Sequence, residues 1–336
     1  MEKSSFDKRQ KKKAAQQPRQ EKPKKENLPH ARTPMQFKWK DWKQIGLRVK
    51  DSFASDHISI IAAGVAFYGM LSIFPVLIAI VSIYGLFSDP ATVEAQIQSM
   101  TQVIPDDVAL IIGNQLRDIA VNSPTSLGLG AAISILVAIA SAAKGMKAIM
   151  EGFNIAYNED ETRGMIRLQA QAMLLTLGGV LTIVIAVSLI AILPGVLAFI
   201  GLSEYAESLL LIGRWPILAT LFILGLSIVH RYAPDRREAK WRWVTAGSIA
   251  STLMILLASA GFAYFAENFG NYNKTYGSIA GVIVLLLWLY LMALSLLFGA
   301  ELNSEIEHQT LADSTKGKEK PMGNRDAYMA DTIPNS

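Results

Sequence analysis

The run TYGSIAGVIVLLLWLYLMALSLLFGA, residues 275–300, carries no charged side chain and decides the class of fold. A helix rises 1.5 Å per residue, so crossing about 30 Å of hydrocarbon takes roughly 20 mainly apolar residues, and this run supplies them. Within hydrocarbon a helix satisfies its own backbone polar groups, which an open strand does not. Working outward, five further charge-free windows follow the same rule: Ile58–Phe87, Ile119–Ala143, Leu168–Ser203, Trp215–Val229 and Trp243–Ala266. The chain therefore reads as all-α, an integral membrane bundle of six transmembrane helices. Trp215–Val229 is short and is expected to borrow Leu209–Gly213, with Arg214 snorkelling to the interface.

Composition agrees. Hydrophobic residues make up 51% of the 336 and charged residues only 18%, a balance that disfavours a soluble enzyme. The chain has no Cys, which excludes disulfide frameworks, thiolate metal sites and Cys nucleophiles. No apolar run precedes Ile58, so a cleaved secretory signal is not expected and the first span itself acts as the targeting signal.

Two windows exceed one straight crossing, and each contains a proline. Pro75 is expected to kink the first span, or in a sharper version to break it into a re-entrant segment. Pro194-Gly195 is expected to end the third, leaving Val196–Leu202 along the outer surface. Six spans place 29 Lys and Arg on one side and only Arg117, Arg214 and Lys274 on the other. Basic loops stay cytoplasmic, so both termini are predicted to be cytoplasmic in an inner (plasma) membrane.

The flanks divide by composition. Residues 1–34 hold Lys, Arg, Gln and Pro with little to bury, so a disordered basic cytoplasmic tail is expected. Residues 35–57 mix Phe37, Trp39, Trp42, Ile45 and Phe53 with lysines, as a basic interfacial helix attracted to anionic lipid does. The membrane domain follows over 58–308, and 309–336 is expected to be a second disordered cytoplasmic tail. Helical spacing on both sides of Pro105 predicts a small helical outer cap between the first two spans, about 88–122.

Ala62-Ala63-Gly64-Val65-Ala66-Phe67-Tyr68 with Leu71-Ser72-Ile73-Phe74-Pro75, and Gly152-Phe153-Asn154-Ile155-Ala156-Tyr157 leading to Arg163, form two distinctive stretches. Arg231-Tyr232-Ala233-Pro234 with Trp241-Arg242 and Gly247 forms a third. The most specific is Phe269-Gly270-Asn271-Tyr272-Asn273-Lys274-Thr275-Tyr276-Gly277-Ser278, then Trp288-Leu289-Tyr290 and Gly299-Ala300-Glu301-Leu302-Asn303. In this order, over roughly residues 45–308, the chain resembles the YihY/BrkB family of bacterial membrane proteins. The resemblance implies a six-span inner-membrane protein of undefined activity. One branch is associated with serum resistance, hence virulence factor, and the family has also carried the label ribonuclease BN.

The residues do not support that ribonuclease label. RNA cleavage needs an acid/base pair or a metal cluster in water, whereas His30, His57, His230 and His308 lie in separate segments without ligand spacing. Glu159, Asp160 and Glu161 read as a solvated turn. No metal, cofactor or catalytic set is expected, and no phosphate-cradling loop points to an ATP-driven pump. Nucleic acid is not an expected partner, because the basic tail accompanies no fold that reads bases.

Polar groups near hydrocarbon are costly and become the candidate site. Tyr68 and Ser72 share a face just before Pro75; Lys144 and Lys147 end the second span; Asn154 and Tyr157 follow on one face. Glu267, Asn271, Asn273 and Lys274 mark the outer mouth, and Glu301 and Asn303 the inner end of the last span. Together they suggest a polar path for a solute or lipid through the first, second and last spans. A non-transporting envelope scaffold and a lipid-modifying enzyme stay open as alternatives. Gly64, Gly69, Gly178, Gly179, Gly247, Gly261, Gly277 and Gly281 suit close helix packing, which is compatible with a homo-oligomer.

Overall fold

The computed structural model describes residues 28–87, 124–200, 204–268 and 279–334. Among the described residues the chain is helical, with one isolated antiparallel bridge between Ala239 and Thr315 and no strand. The helices are α1 Trp39–Ser55, α2 Ile58–Phe87, α3 Pro124–Ala156, α4 Met165–Val187, α5 Leu193–Ile200, α6 Glu204–Tyr232, α7 Trp241–Asn268 and α8 Ile279–His308. The single turn α9, Tyr328–Asp331, lies near the C-terminus.

Local chemistry sets the boundaries. The Lys38 amide donates to the Asp41 carboxylate at 2.8 Å, tying the first turn of α1, where a negative charge also suits the helix dipole. At the other end His57 takes a positive φ of 52°, and the axis turns by 63° into α2. Six long helices then pack as a closed ring in chain order, α2 on α3, α3 on α4, α4 on α6, α6 on α7, α7 on α8, and α8 back on α2. Short connections favour such antiparallel neighbours. Of these six contacts α4 on α6 is the thinnest, while α8 also reaches α1 and α3.

Among the described residues four helical stretches are long and apolar enough to cross a membrane: Met165–Ile190, Ser208–Tyr232, Trp241–Phe265 and Gly281–His308. The bent pair Trp39–Ser55 with Ile58–Ile73 makes a fifth if counted as one span. The count is thus four to five, against the six expected. Leu181, Ile183, Ile217, Leu256 and Leu257 are all exposed. An apolar surface that extensive suits hydrocarbon, not water.

Several expectations change. α2 runs unbroken through Pro75, and the sharp bend lies upstream at Asp56-His57. The third window stays helical past Pro194, from Met165 to Ile200, through a wider-wound segment at Ser188–Ile192, and the stretch long and apolar enough to cross is Met165–Ile190. α6 does include Leu209–Gly213, and Arg214 stacks on Trp215 at 5.5 Å.

The C-terminal segment is not a free tail. The Lys240 amide donates to Ser314 O, the Lys316 amide to Glu238 O, and the Leu311 amide to Pro29 O. Arg325 gives hydrogen bonds to the carbonyls of Leu311, Ala312, Lys320 and Ala330, and Met329 and Ala330 are buried. Its composition suggested disorder because it offers little apolar surface; the segment is held instead by side chains that satisfy backbone groups. Within the first 34 residues, Ala31 and Pro34 are likewise buried. α1 lies where the interfacial helix was expected, with Asp41, Ile45 and Val49 buried, and its Arg48 reaches α8. The expected outer cap at 88–122 lies outside the described residues.

Candidate functional site

The connections α3–α4 and α6–α7, helix α1, the end of α8 and the C-terminal segment meet at one end of the ring, called here the basic end. Asn154 joins two of the connections: its Oδ1 accepts from the Asp235 amide at 2.7 Å and its Nδ2 donates to Glu161 at 3.0 Å. Arg163, buried, donates to Glu161 and to the Ala233 carbonyl. The bonds from Arg163 hold the Glu161 carboxyl below the usual range. Burial works against the Asp235 carboxylate, but bonds from Thr162 outweigh it and hold that carboxyl low too. The acidic loop is therefore a clasp: Glu161 is engaged and Glu159 accepts from the Tyr328 amide, while Asp160 is exposed.

Beside it Arg236 and Glu307 form a two-pronged ion pair, 2.6 Å on each prong, with both side chains almost fully buried. Ser314 donates to Glu307 from the C-terminal segment. The Arg236 guanidinium sits 4.8 Å over the Tyr157 ring, and burial pushes the Tyr157 hydroxyl far above the usual range. Sequence spacing could not find this pair, because its members lie 71 positions apart.

A second junction joins α7 to α8. Asn303 accepts from the Gly247 amide at 2.7 Å and donates to Val244 O at 3.0 Å, so its side chain bridges two backbone groups of α7 on adjacent turns of one face. Gly247 faces Gly299 backbone to backbone: a Cβ on Gly299 would lie 2.5 Å from Gly247 O and 2.9 Å from His230 Nε2. Gly299, a small residue legible in the last span, is thus a second close-packing glycine at this junction.

Of the candidate polar path, then, Asn154, Tyr157 and Asn303 are buried in structural junctions. Ser72 is also buried, its hydroxyl 2.8 Å from Tyr68 O and 3.0 Å from Ser141 O, joining α2 to α3. Tyr68 and Lys144 are exposed and Lys147 half-buried. Pro75 lies within α2, and Glu267 in the last turns of α7, with neither side chain described; Asn271, Asn273 and Lys274 lie outside the described residues. Glu301 is 0% exposed, and neither carboxylate oxygen meets a donor among the described residues.

The open space lies elsewhere. Where α4 meets α6 a cleft of about 770 Å³ runs between them, with walls from Leu174, Leu175, Phe222 and Val229. Gly178 and Gly179 thin one wall and Gly225 the other; a Cβ on either α4 glycine would meet nothing within 4 Å. These two glycines suit close helix packing by sequence, and in the structure they border the cleft instead. At the basic end the cleft finishes in polar groups: Gln171 donates to Tyr232 O, and Arg167 is exposed. A concave, mainly apolar site of this size with a few polar groups at one end is a ligand site in form.

A family model described as Virulence factor BrkB matches residues 49–323. Relatives include a protein of Bacillus subtilis named putative ribonuclease-like protein YfkH, 28% identical over 72% of this chain and 88% of its own. A UPF0761 membrane protein of Aeromonas salmonicida is 28% identical over 74% of this chain and 84% of its own. Another, from Haemophilus influenzae, is 25% identical over 79% of this chain and 96% of its own. No solved structure matches.

Proposed function

This chain belongs to the Virulence factor BrkB family of membrane proteins, and on that premise we propose that it binds and moves a bilayer lipid through the cleft between α4 and α6. The observation carrying this reading is the cleft itself: about 770 Å³, walled by apolar side chains and glycine, with Arg167 at one end. An acyl chain fits walls that offer it no unmet polar group, and the guanidinium of Arg167 suits a phosphate headgroup. A polar solute is less well served, because the buried polar side chains described at the basic end are mostly engaged with one another.

The charge split supports an inner-membrane protein of six crossings with both termini cytoplasmic, which sets Arg167 at the level of the cytoplasmic headgroups. Nuclease chemistry is not part of this reading. Glu161, Glu305 and Glu307 are tied to arginines, and among the described residues no three acidic or imidazole groups could share a metal ion.

The test is reconstitution in liposomes with a phospholipid carrying a photoreactive acyl chain. Wild type should become labelled on α4 and α6 and should speed transbilayer exchange of a fluorescent phospholipid. Gly178→Leu with Gly179→Leu, whose Cβ atoms would meet nothing within 4 Å, add bulk to the cleft wall and should abolish both, and Tyr68→Phe should change neither. Equal labelling of the filled variant would overturn the reading.

A further inference from the structure

Among the described residues of the candidate path, Glu301 is the buried side chain that meets no partner. It lies on α8, is 0% exposed, and both oxygens lack a donor among the described residues. The ionisable group that faces it across the elbow where α1 turns into α2 is another carboxyl, Asp56. Two carboxyl groups bond to each other only when one of them carries a proton. An ionised and unpaired carboxylate in a buried site is expensive, so this contact is stable with one proton between the two.

The surroundings are divided unequally. Asp56 is half-buried and reaches water, while Glu301 does not. Burial lifts the Asp56 carboxyl above the usual aspartate range. The other ionisable groups that face the pair are accounted for. Glu305, one turn beyond Glu301, is bound by Arg48 at 2.6 Å and Ser52 at 3.2 Å, with His308 Nδ1 at 3.9 Å. His57 stands beside Asp56, and Tyr157 faces Glu301 from the end of α3. Arg48 is therefore spent on Glu305, and among the described residues no arginine or lysine is paired with Asp56 or Glu301. A metal ion is not favoured, since among the described residues no group of three acidic or imidazole side chains could hold one.

We infer that Asp56 and Glu301 form a proton-binding site between the α1–α2 elbow and α8, with the proton entering from water through Asp56 and residing on Glu301. On release the Glu301 O–H bond breaks, its electrons stay on the carboxylate, and the proton passes by way of Asp56 to water. Two like charges then face each other across the elbow. This site is independent of the lipid cleft, and either reading can fail without the other.

Infrared difference spectroscopy of the full chain in liposomes tests it. At neutral pH wild type should show the carbonyl stretch of a protonated carboxylic acid that shifts in D2O and moves when isotope-labelled glutamate is incorporated. Glu301→Gln should lose that band, and Asp56→Asn should keep it while slowing its exchange with D2O several-fold. The inference is overturned if wild type lacks the band, if the band ignores the glutamate label, which needs no variant to fold, or if it appears only when sodium is withdrawn, which would assign the site to a cation.

Discussion

Replacing Gly247 by alanine tests the backbone contact between α7 and α8. A Cβ there would fall well inside contact distance of the Gly299 carbonyl oxygen and 2.5 Å from the amide carbon and nitrogen of Asn303. The first obstacle is backbone, which cannot rotate away, so α7 and α8 must separate. Forcing extra volume into a packed contact costs about 1–3 kcal/mol. Separation also strips Asn303 of its bonds to Gly247 and Val244, and a buried amide left unsatisfied costs a further ~1–3 kcal/mol. A loss of about 3 kcal/mol lowers the folding equilibrium roughly a hundredfold, at about 1.4 kcal/mol per tenfold. The control is Gly261→Ala on the same helix, where nothing lies within 4 Å and alanine's helix propensity favours it by up to about 1 kcal/mol. Equilibrium unfolding in detergent micelles, followed by helical circular dichroism, measures both. If Gly247→Ala unfolds at the same denaturant concentration as Gly261→Ala, the backbone contact between α7 and α8 is wrong.

Arg236→Ala should leave Glu307 buried without its partner, costing about 3–5 kcal/mol, whereas Arg236→Met with Glu307→Met should recover most of that; rates of limited proteolysis within residues 309–334 report the difference. The clasp formed by Glu161 and Asp235 should weaken in acid. Both carboxyls titrate below their unfolded values, so their contribution is present above the ordinary carboxylate range of about 4 and is lost as pH falls through the folded values. Protection of the Thr162 and Asp235 amides, taken as the ratio of intrinsic to observed hydrogen-exchange rate at each pH, should fall on acidification in wild type, and the fall should shrink in Glu161→Gln.

The amino-acid sequence by itself determined the helical class and the apolar windows, because hydrocarbon imposes length and charge rules that act on each segment alone. The short fourth window and its extension back to Leu209 were legible on the same ground. Which polar residue does what was not. Asn154, Asn303 and Ser72 read as a path because each is costly near hydrocarbon, yet their partners Asp235, Gly247 and Ser141 lie 81, 56 and 69 positions away. Gly178 and Gly247 looked alike in sequence, and one borders open space while the other touches backbone. The C-terminal segment lacked an apolar pattern and is still ordered, since backbone hydrogen bonds tie it to Pro29, Glu238 and Lys240 and Arg325 binds carbonyls within the segment. Periodicity and hydropathy report how a segment meets its solvent. Pairing between distant segments and the space left between helices depend on how the ring closes, and only the tertiary structure decided those.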